Sequence, residues 1–230
     1  MNSSTALLVF SRSAAAEASS KKIFCRVKQN RKVIEGFIHH TIRLATQCNL
    51  PWYLSDEHSQ TGEAFGKKLG NAISQILAKG YRKLIIIGND CPGLTQNVLQ
   101  KAVTDLEHHD WVLGPTSKGG VYLIGISAAS FDKTGFEKIS WQTSEVFASL
   151  QGIITKTGVS YSCLQALDDI NTTKDVISVA NKTSSNNSLL SLLINFFVAG
   201  TFRYFIHTTI VLCVDSFSPC GRRGPPIKLC

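Results

Sequence analysis

The sequence predicts an α/β protein built on a parallel or mixed sheet, and three observations carry that prediction. Short β-branched runs alternate with helix-periodic stretches along most of the chain, the alternation from which such sheets are built. The run Leu84-Ile85-Ile86-Ile87 is apolar at every position, as a strand buried on both faces must be. It stops at Gly88-Asn89-Asp90-Cys91-Pro92-Gly93, a turn that Pro92 and Gly93 keep from extending. Ligands of open α/β sheets gather beyond such strand ends, so Asp90 marks a ligand site.

The elements follow in order. Residues 6–10 read as a first strand. Residues 11–20 are small and polar and read as a loop leading to Lys21 and Lys22, at a place where α/β proteins hold phosphate. The loop has no glycine, so the backbone nest of a phosphate loop is missing, and a plain surface loop is an equal reading. Ile34, Phe37, Ile38, Thr41, Ile42, Ala45 and Cys48 give a helix over residues 28–48. The adjacent His39 and His40 point apart on it and make a poor ligand pair. Trp52-Tyr53-Leu54 is a short strand, and residues 62–79 form a helix with Phe65, Leu69, Ala72, Ile73, Ile76 and Leu77 as its buried stripe. After the central strand, Thr95 caps a helix carrying Val98, Leu99, Ala102, Val103 and Leu106. Residues 111–113 and 121–126 are two further strands, joined through Lys118-Gly119-Gly120. Residues 131–139 look irregular, Thr143 caps a helix through Ile154, residues 159–164 offer a strand, and residues 174–180 a last helix.

The chain has 230 residues, enough for one such domain with an appendage, and a formal charge of +8. The excess is scattered in pairs rather than gathered into an arm, which argues against nucleic-acid binding and suits anionic small ligands or a membrane surface. Seven cysteines, at positions 25, 48, 91, 163, 213, 220 and 230, form no CxxC pair. That pattern favours a reducing, cytoplasmic setting over a disulfide framework or zinc ribbon. The short apolar stretch at residues 6–10 lacks the layout of a signal peptide.

Composition shifts at Asn181. The expected organisation is a domain over residues 1–180, a linker over 181–188 and an apolar, basic appendage over 189–230. Residues 189–214 are strongly apolar but interrupted by Asn195, Arg203 and His207, which favours packing or peripheral membrane contact over a spanning helix.

Several motifs in order resemble a bacterial family of GT-A-type glycosyltransferases of unassigned substrate, grouped with radical-SAM or selenodomain-associated transferases. They are residues 86–95, Asp110-Trp111-Val112-Leu113-Gly114-Pro115, residues 119–125, Ser140-Trp141-Gln142-Thr143 and Asp169-Ile170-Asn171-Thr172. The resemblance spans about residues 5–180 and implies a three-layer α/β/α, mostly parallel nucleotide-diphospho-sugar transferase fold. It implies a nucleotide-sugar donor, an acceptor of unknown nature and a Mg²⁺ or Mn²⁺ ion held by Asp90. With Asp90, Asp169 supplies a second carboxylate. Arg12, Lys21, Lys22, Lys118, Gly119 and Gly120 are the candidate phosphate contacts, and Tyr122 and Trp141 the candidate sugar or acceptor contacts.

The chain also departs from that pattern. Lys118 stands where the family has an Asp before Gly-Gly, Asn171 replaces a second Asp, Thr173 replaces a Pro, and the Pro- and Gly-containing first loop is absent. Fewer carboxylates weaken a divalent-ion site. Two other readings stay open: nucleotidyl transfer to a phosphorylated small molecule, and a non-catalytic binding or scaffold protein on a decayed transferase fold.

Overall fold

The computed structural model describes residues 4–182. Six strands form one sheet in the order β2, β1, β3, β5, β4, β6. They are β1 Thr5–Phe10, β2 Trp52–Ser55, β3 Lys83–Ile87, β4 Trp111–Pro115, β5 Val121–Ser127 and β6 Tyr161–Cys163. Only β5 runs against its neighbours, between β3 and β4. β4 and β5 form a hairpin closed by the Lys118-Gly119-Gly120 turn, with a register shift at Gly114 and Pro115.

The period-2 alternation of the strands sorts their side chains onto two faces. Ala6, Leu8, Leu84, Ile86, Leu113 and Ile124 join one core, covered by α3 Phe65–Leu77, α5 Lys133–Glu137 and α6 Val146–Thr157. Leu7, Val9, Ile85, Ile87 and Val112 join the other, under α4 Gln96–His108 and the Leu44 and Ala45 end of α2 Val27–Gln47. A smaller cluster of Ile23, Val33, Ile34, Phe37, Ile170 and Val176 joins α2 to α7 Thr173–Lys182. This is the three-layer architecture the sequence implied, and it leaves the carboxyl ends of β1, β3 and β4 opening on one side.

Four expectations need correction. Residues 14–20 are a helix, α1 Ala14–Ser20, because Ser13 caps three consecutive alanines whose helix propensity outweighs the small, loop-like composition. Residues 131–139 are ordered: a 3-10 turn at Ala128–Ser130 precedes α5, which Asp132 caps by accepting from the Thr134 and Gly135 amides. Thr143 sits two residues before the α6 cap, its hydroxyl accepting from the Glu145 amide while Glu145 itself is the cap position. α7 continues through Lys182, two residues into the stretch expected as a linker. Residues 183–230, including the apolar run 189–214, lie outside the described residues. Among the described residues no helix is long and apolar enough to cross a membrane.

Candidate functional site

A cleft of about 1100 Å³ opens beyond the carboxyl ends of β1 and β3, with Arg12, Lys21, Asp90, Lys118, Trp141 and Asp169 among its walls. It is large enough for a small-molecule ligand, since ligand pockets commonly run to several hundred Å³.

Asp90 follows β3 because Gly88 and Asn89 end the strand and the Leu94 amide closes the turn on the Cys91 carbonyl at 3.1 Å. Thr95 then caps α4 as the sequence predicts, its hydroxyl accepting from the Val98 amide. The Asp90 backbone is tied across the cleft, its carbonyl accepting from the Ile170 amide at 2.8 Å. That bond brings Asp169, 13% exposed at its side chain, next to Asp90 although the two are far apart in sequence.

Lys21 reaches Asp90 from α1: its ammonium lies 3.5 Å from Asp90 Oδ2 and 3.4 Å from Glu17 Oε1. Its position is set by Asn30, a buried residue that sequence reasoning missed. Asn30 Nδ2 donates to the Lys21 and Ala18 carbonyls, and its Oδ1 accepts from the Ile23 and Phe24 amides. Four bonds from one side chain fix the backbone that carries Lys21. Only the apolar spacing around Asn30 signalled that it faces inward.

Glu57 is the second residue the sequence did not reveal. Its carboxylate accepts from the Ser13 amide at 2.6 Å and from the Ser13 hydroxyl, so an internal anion already holds the cap of α1. The Ser13 hydroxyl and amide, helped slightly by His58 nearby, lower the Glu57 pKa to about 2. Arg12 lies just outside, donating to the Ser20 hydroxyl at 2.9 Å, and Lys22 is exposed on the same wall.

Lys118 turns toward two carboxylates. Its ammonium lies 2.8 Å from Asp175 Oδ1, 3.1 Å from the Asp169 carbonyl and 3.7 Å from Asp169 Oδ1. Desolvation pulls the Lys118 pKa down, but Asp175 and Asp169 outweigh it, and the net shift is upward. At Asp169 burial dominates and raises the pKa; Lys118 opposes it and Asp90 adds to it. Asp175 goes the other way, because bonds from Lys118, Asn171 and Thr172 exceed its desolvation. Pairing wins at Lys118 and Asp175, burial at Asp169. Asp175 did have a sequence signal, since Thr172-x-x-Asp175 is a capping box at the start of α7.

The remaining candidates are placed differently from expectation. Gly119 and Gly120 serve the protein backbone: Gly119, at φ +83°, packs on Ser144, and its carbonyl accepts from the Phe147 amide at 3.0 Å. The Gly120 amide donates to Thr116 Oγ1 at 3.1 Å. Tyr122 is 2% exposed, its hydroxyl donating to the Gln165 carbonyl at 3.0 Å, because the β4–β5 register shift turns it onto the core. It lines the floor of the cleft with little of its ring exposed. Trp141 does reach the cleft wall, but its indole donates to the Phe136 carbonyl and packs against Phe65 and Phe136. Gly66 leaves room for that ring.

A divalent ion at Asp90 and Asp169 would meet two carboxylates that each already face an ammonium. Among the described residues no group of three or more His, Cys, Asp or Glu side chains could hold a metal ion. Two unit charges roughly 4 Å apart interact by about 4 kcal/mol near a protein surface, and a divalent ion doubles that repulsion from each lysine. As folded, this donor set does not fit a Mg²⁺ or Mn²⁺ ion.

Residues 53–143 match the model of a family described as "Uncharacterized protein conserved in bacteria (DUF2064)". No curated protein matches the chain. Among solved structures, a protein of Desulfovibrio desulfuricans provisionally named a nucleotide-diphospho-sugar transferase is similar at 20% identity and a TM-score of 0.73, over 84% of this chain and 95% of that one. Rv0371c of Mycobacterium tuberculosis is similar at 10% identity and a TM-score of 0.46, over 78% and 98%. A cytidylyltransferase of Leptospira borgpetersenii follows at 10% identity and 0.41, over 84% and 93%. The fold is that of nucleotide-diphospho-sugar transferases, as the motifs around Asp90 implied.

Proposed function

We propose that the chain is a transferase that takes a nucleotide-sugar donor in this cleft and passes the sugar to an acceptor. The observation that supports the reading best is Lys21, held by Asn30 at the mouth of β1 and β3 opposite Asp90. A fixed ammonium at the carboxyl edge of a parallel sheet suits a diphosphate. Arg12 and Lys22 extend the same basic wall.

In the reaction, the bond from the anomeric carbon to the diphosphate oxygen breaks and a bond from that carbon to the acceptor oxygen forms. The nucleoside diphosphate leaves with the electron pair, stabilised by Lys21 and its basic neighbours. The acceptor's proton goes to a carboxylate, and Asp90 suits that role, its side chain 34% exposed in the cleft wall whereas both Asp169 oxygens are engaged. Asp90 orients Lys21.

The test is a calorimetric and thermal-shift screen of UDP-, GDP-, CDP-, ADP- and dTDP-sugars, followed by assay of nucleoside diphosphate release. Failure of every donor to bind overturns the reading. Nucleotidyl transfer is the second reading on this fold, and the Glu57 carboxylate at the α1 cap counts against it, since it repels a triphosphate there. Pyrophosphate release from a nucleoside triphosphate would favour it. Donor binding with no turnover would favour a binding or scaffold role instead.

A further inference from the structure

We propose that the Lys118 ammonium is the resident cation of this cleft, so that a nucleoside diphosphate binds here without a divalent metal. The inference rests on the donor reading above and goes beyond it in assigning the counter-charge.

The geometry is that of a filled cation position. Three oxygens from one short segment surround the ammonium: Asp175 Oδ1 at 2.8 Å, the Asp169 carbonyl at 3.1 Å and Asp169 Oδ1 at 3.7 Å. Asp169 Oδ1 is buried and accepts no hydrogen bond, so the ammonium is the charge it faces. The other oxygens of these carboxylates are committed. Asp169 Oδ2 accepts from Asn171 Nδ2, and Asp175 Oδ2 from the Asn171 and Thr172 amides. A divalent ion at a nucleotide site is held by one or two carboxylates with phosphate oxygens and waters, and to use these two carboxylates it would first have to expel a lysine.

The lysine is also able to serve a ligand. An ammonium has three N–H donors, and two are used at hydrogen-bond distance. Its side chain remains 44% exposed and stands in the cleft wall. The third donor is therefore available to a phosphate oxygen while the other two keep the lysine in place. Lys21 completes the arrangement from the opposite side, at Asp90.

Two measurements test this. Mn²⁺ alone is titrated into the full chain by calorimetry, and nucleoside diphosphates (UDP, GDP, CDP, ADP, dTDP) are titrated in EDTA and in Mn²⁺. Wild type should show no Mn²⁺ site tighter than about 1 mM, the weak end of protein cation sites, and nucleotide affinities equal in the two buffers within about threefold. Lys118→Asp, which sets a third carboxylate beside Asp169 and Asp175, should gain a Mn²⁺ site and lose at least about tenfold of the affinity in EDTA. Lys118→Met, which removes the ammonium and adds no charge, should lose the EDTA affinity and gain no Mn²⁺ site, and it covers the case in which Lys118→Asp fails to fold. A sub-millimolar Mn²⁺ site in wild type, nucleotide binding that collapses in EDTA, or full EDTA binding by Lys118→Met overturns this inference and leaves the donor reading standing. No nucleotide binding in either buffer overturns both.

Discussion

The Ser144 carbonyl oxygen lies 2.0 Å from the point that a Cβ on Gly119 would occupy. The turn that carries Lys118 is thus pressed directly onto the chain entering α6, and the Phe147 amide seals the contact by donating to the Gly119 carbonyl. Backbone meets backbone here, with no flexible side chain to yield.

Gly119→Ala should accordingly be among the most damaging single-methyl changes in the chain. It adds a methyl where the φ of +83° disfavours any side chain and where Ser144 leaves no room. We expect a loss of about 3 kcal/mol in urea unfolding, from combined strain and clash. Gly80→Ala is the control. It has a similar φ of +95° but nothing within 4 Å, so it should cost about 1 kcal/mol.

Asn30→Ala should uncouple stability from position. Four hydrogen bonds disappear, two of them leaving inward amides unpaired, for a loss of about 3 kcal/mol in chemical denaturation. Lys21→Met should cost about 1 kcal/mol or less. Both variants should bind nucleoside diphosphates about tenfold more weakly. Equal affinity of Asn30→Ala and wild type, read by calorimetry, would show that Asn30 does not position Lys21.

Acid should loosen the start of α1 through Glu57. Its folded pKa, about 2, lies below its ordinary 4.5. The stabilisation is therefore complete above pH 4.5 and fades as pH falls toward 2. Glu57→Gln should melt lower than wild type at pH 7, by about 1 kcal/mol for a solvent-screened charged bond. The gap should narrow as pH drops through that window, and a gap independent of pH would refute the assignment.

Trp141 anchors an aromatic group with Phe65 and Phe136. Trp141→Ala should lose about 3 kcal/mol in equilibrium unfolding, because its contacts with Phe65 and Phe136 vanish. Trp141→Phe retains the ring contacts but not the indole bond to the Phe136 carbonyl, and should lose about 1 kcal/mol.

The layers were legible because local pattern decides them. The apolar run at Leu84 to Ile87, the Thr95 cap and the stripe of α3 each follow from residues a few positions apart. The place of Asp90 followed from the same logic, since a strand end is visible in sequence. What was not legible depends on partners distant in the chain. The embrace of Lys118 by Asp169 and Asp175, the seating of Glu57 on Ser13 and the insertion of β5 between β3 and β4 leave no periodic trace. Residues 11–20 misled for a different reason: a phosphate loop and a short capped helix share small, polar residues, and three alanines tip the balance. At Gly119 close approach by a ligand and close approach by Ser144 impose the same need for glycine, and the sequence cannot tell them apart.

The bond from Ile170 to the Asp90 carbonyl has a consequence for how the molecule comes into being. During synthesis the segment bearing Asp90 and Lys21 leaves the ribosome well before the one bearing Asp169 and Asp175. Every nascent copy therefore passes through a stage in which most of the sheet can pair while Lys118 still lacks its carboxylates. The cleft is finished by the last stretch of the domain to arrive. Any message cut short before that point yields a chain with strands enough to collapse but an unfinished cleft.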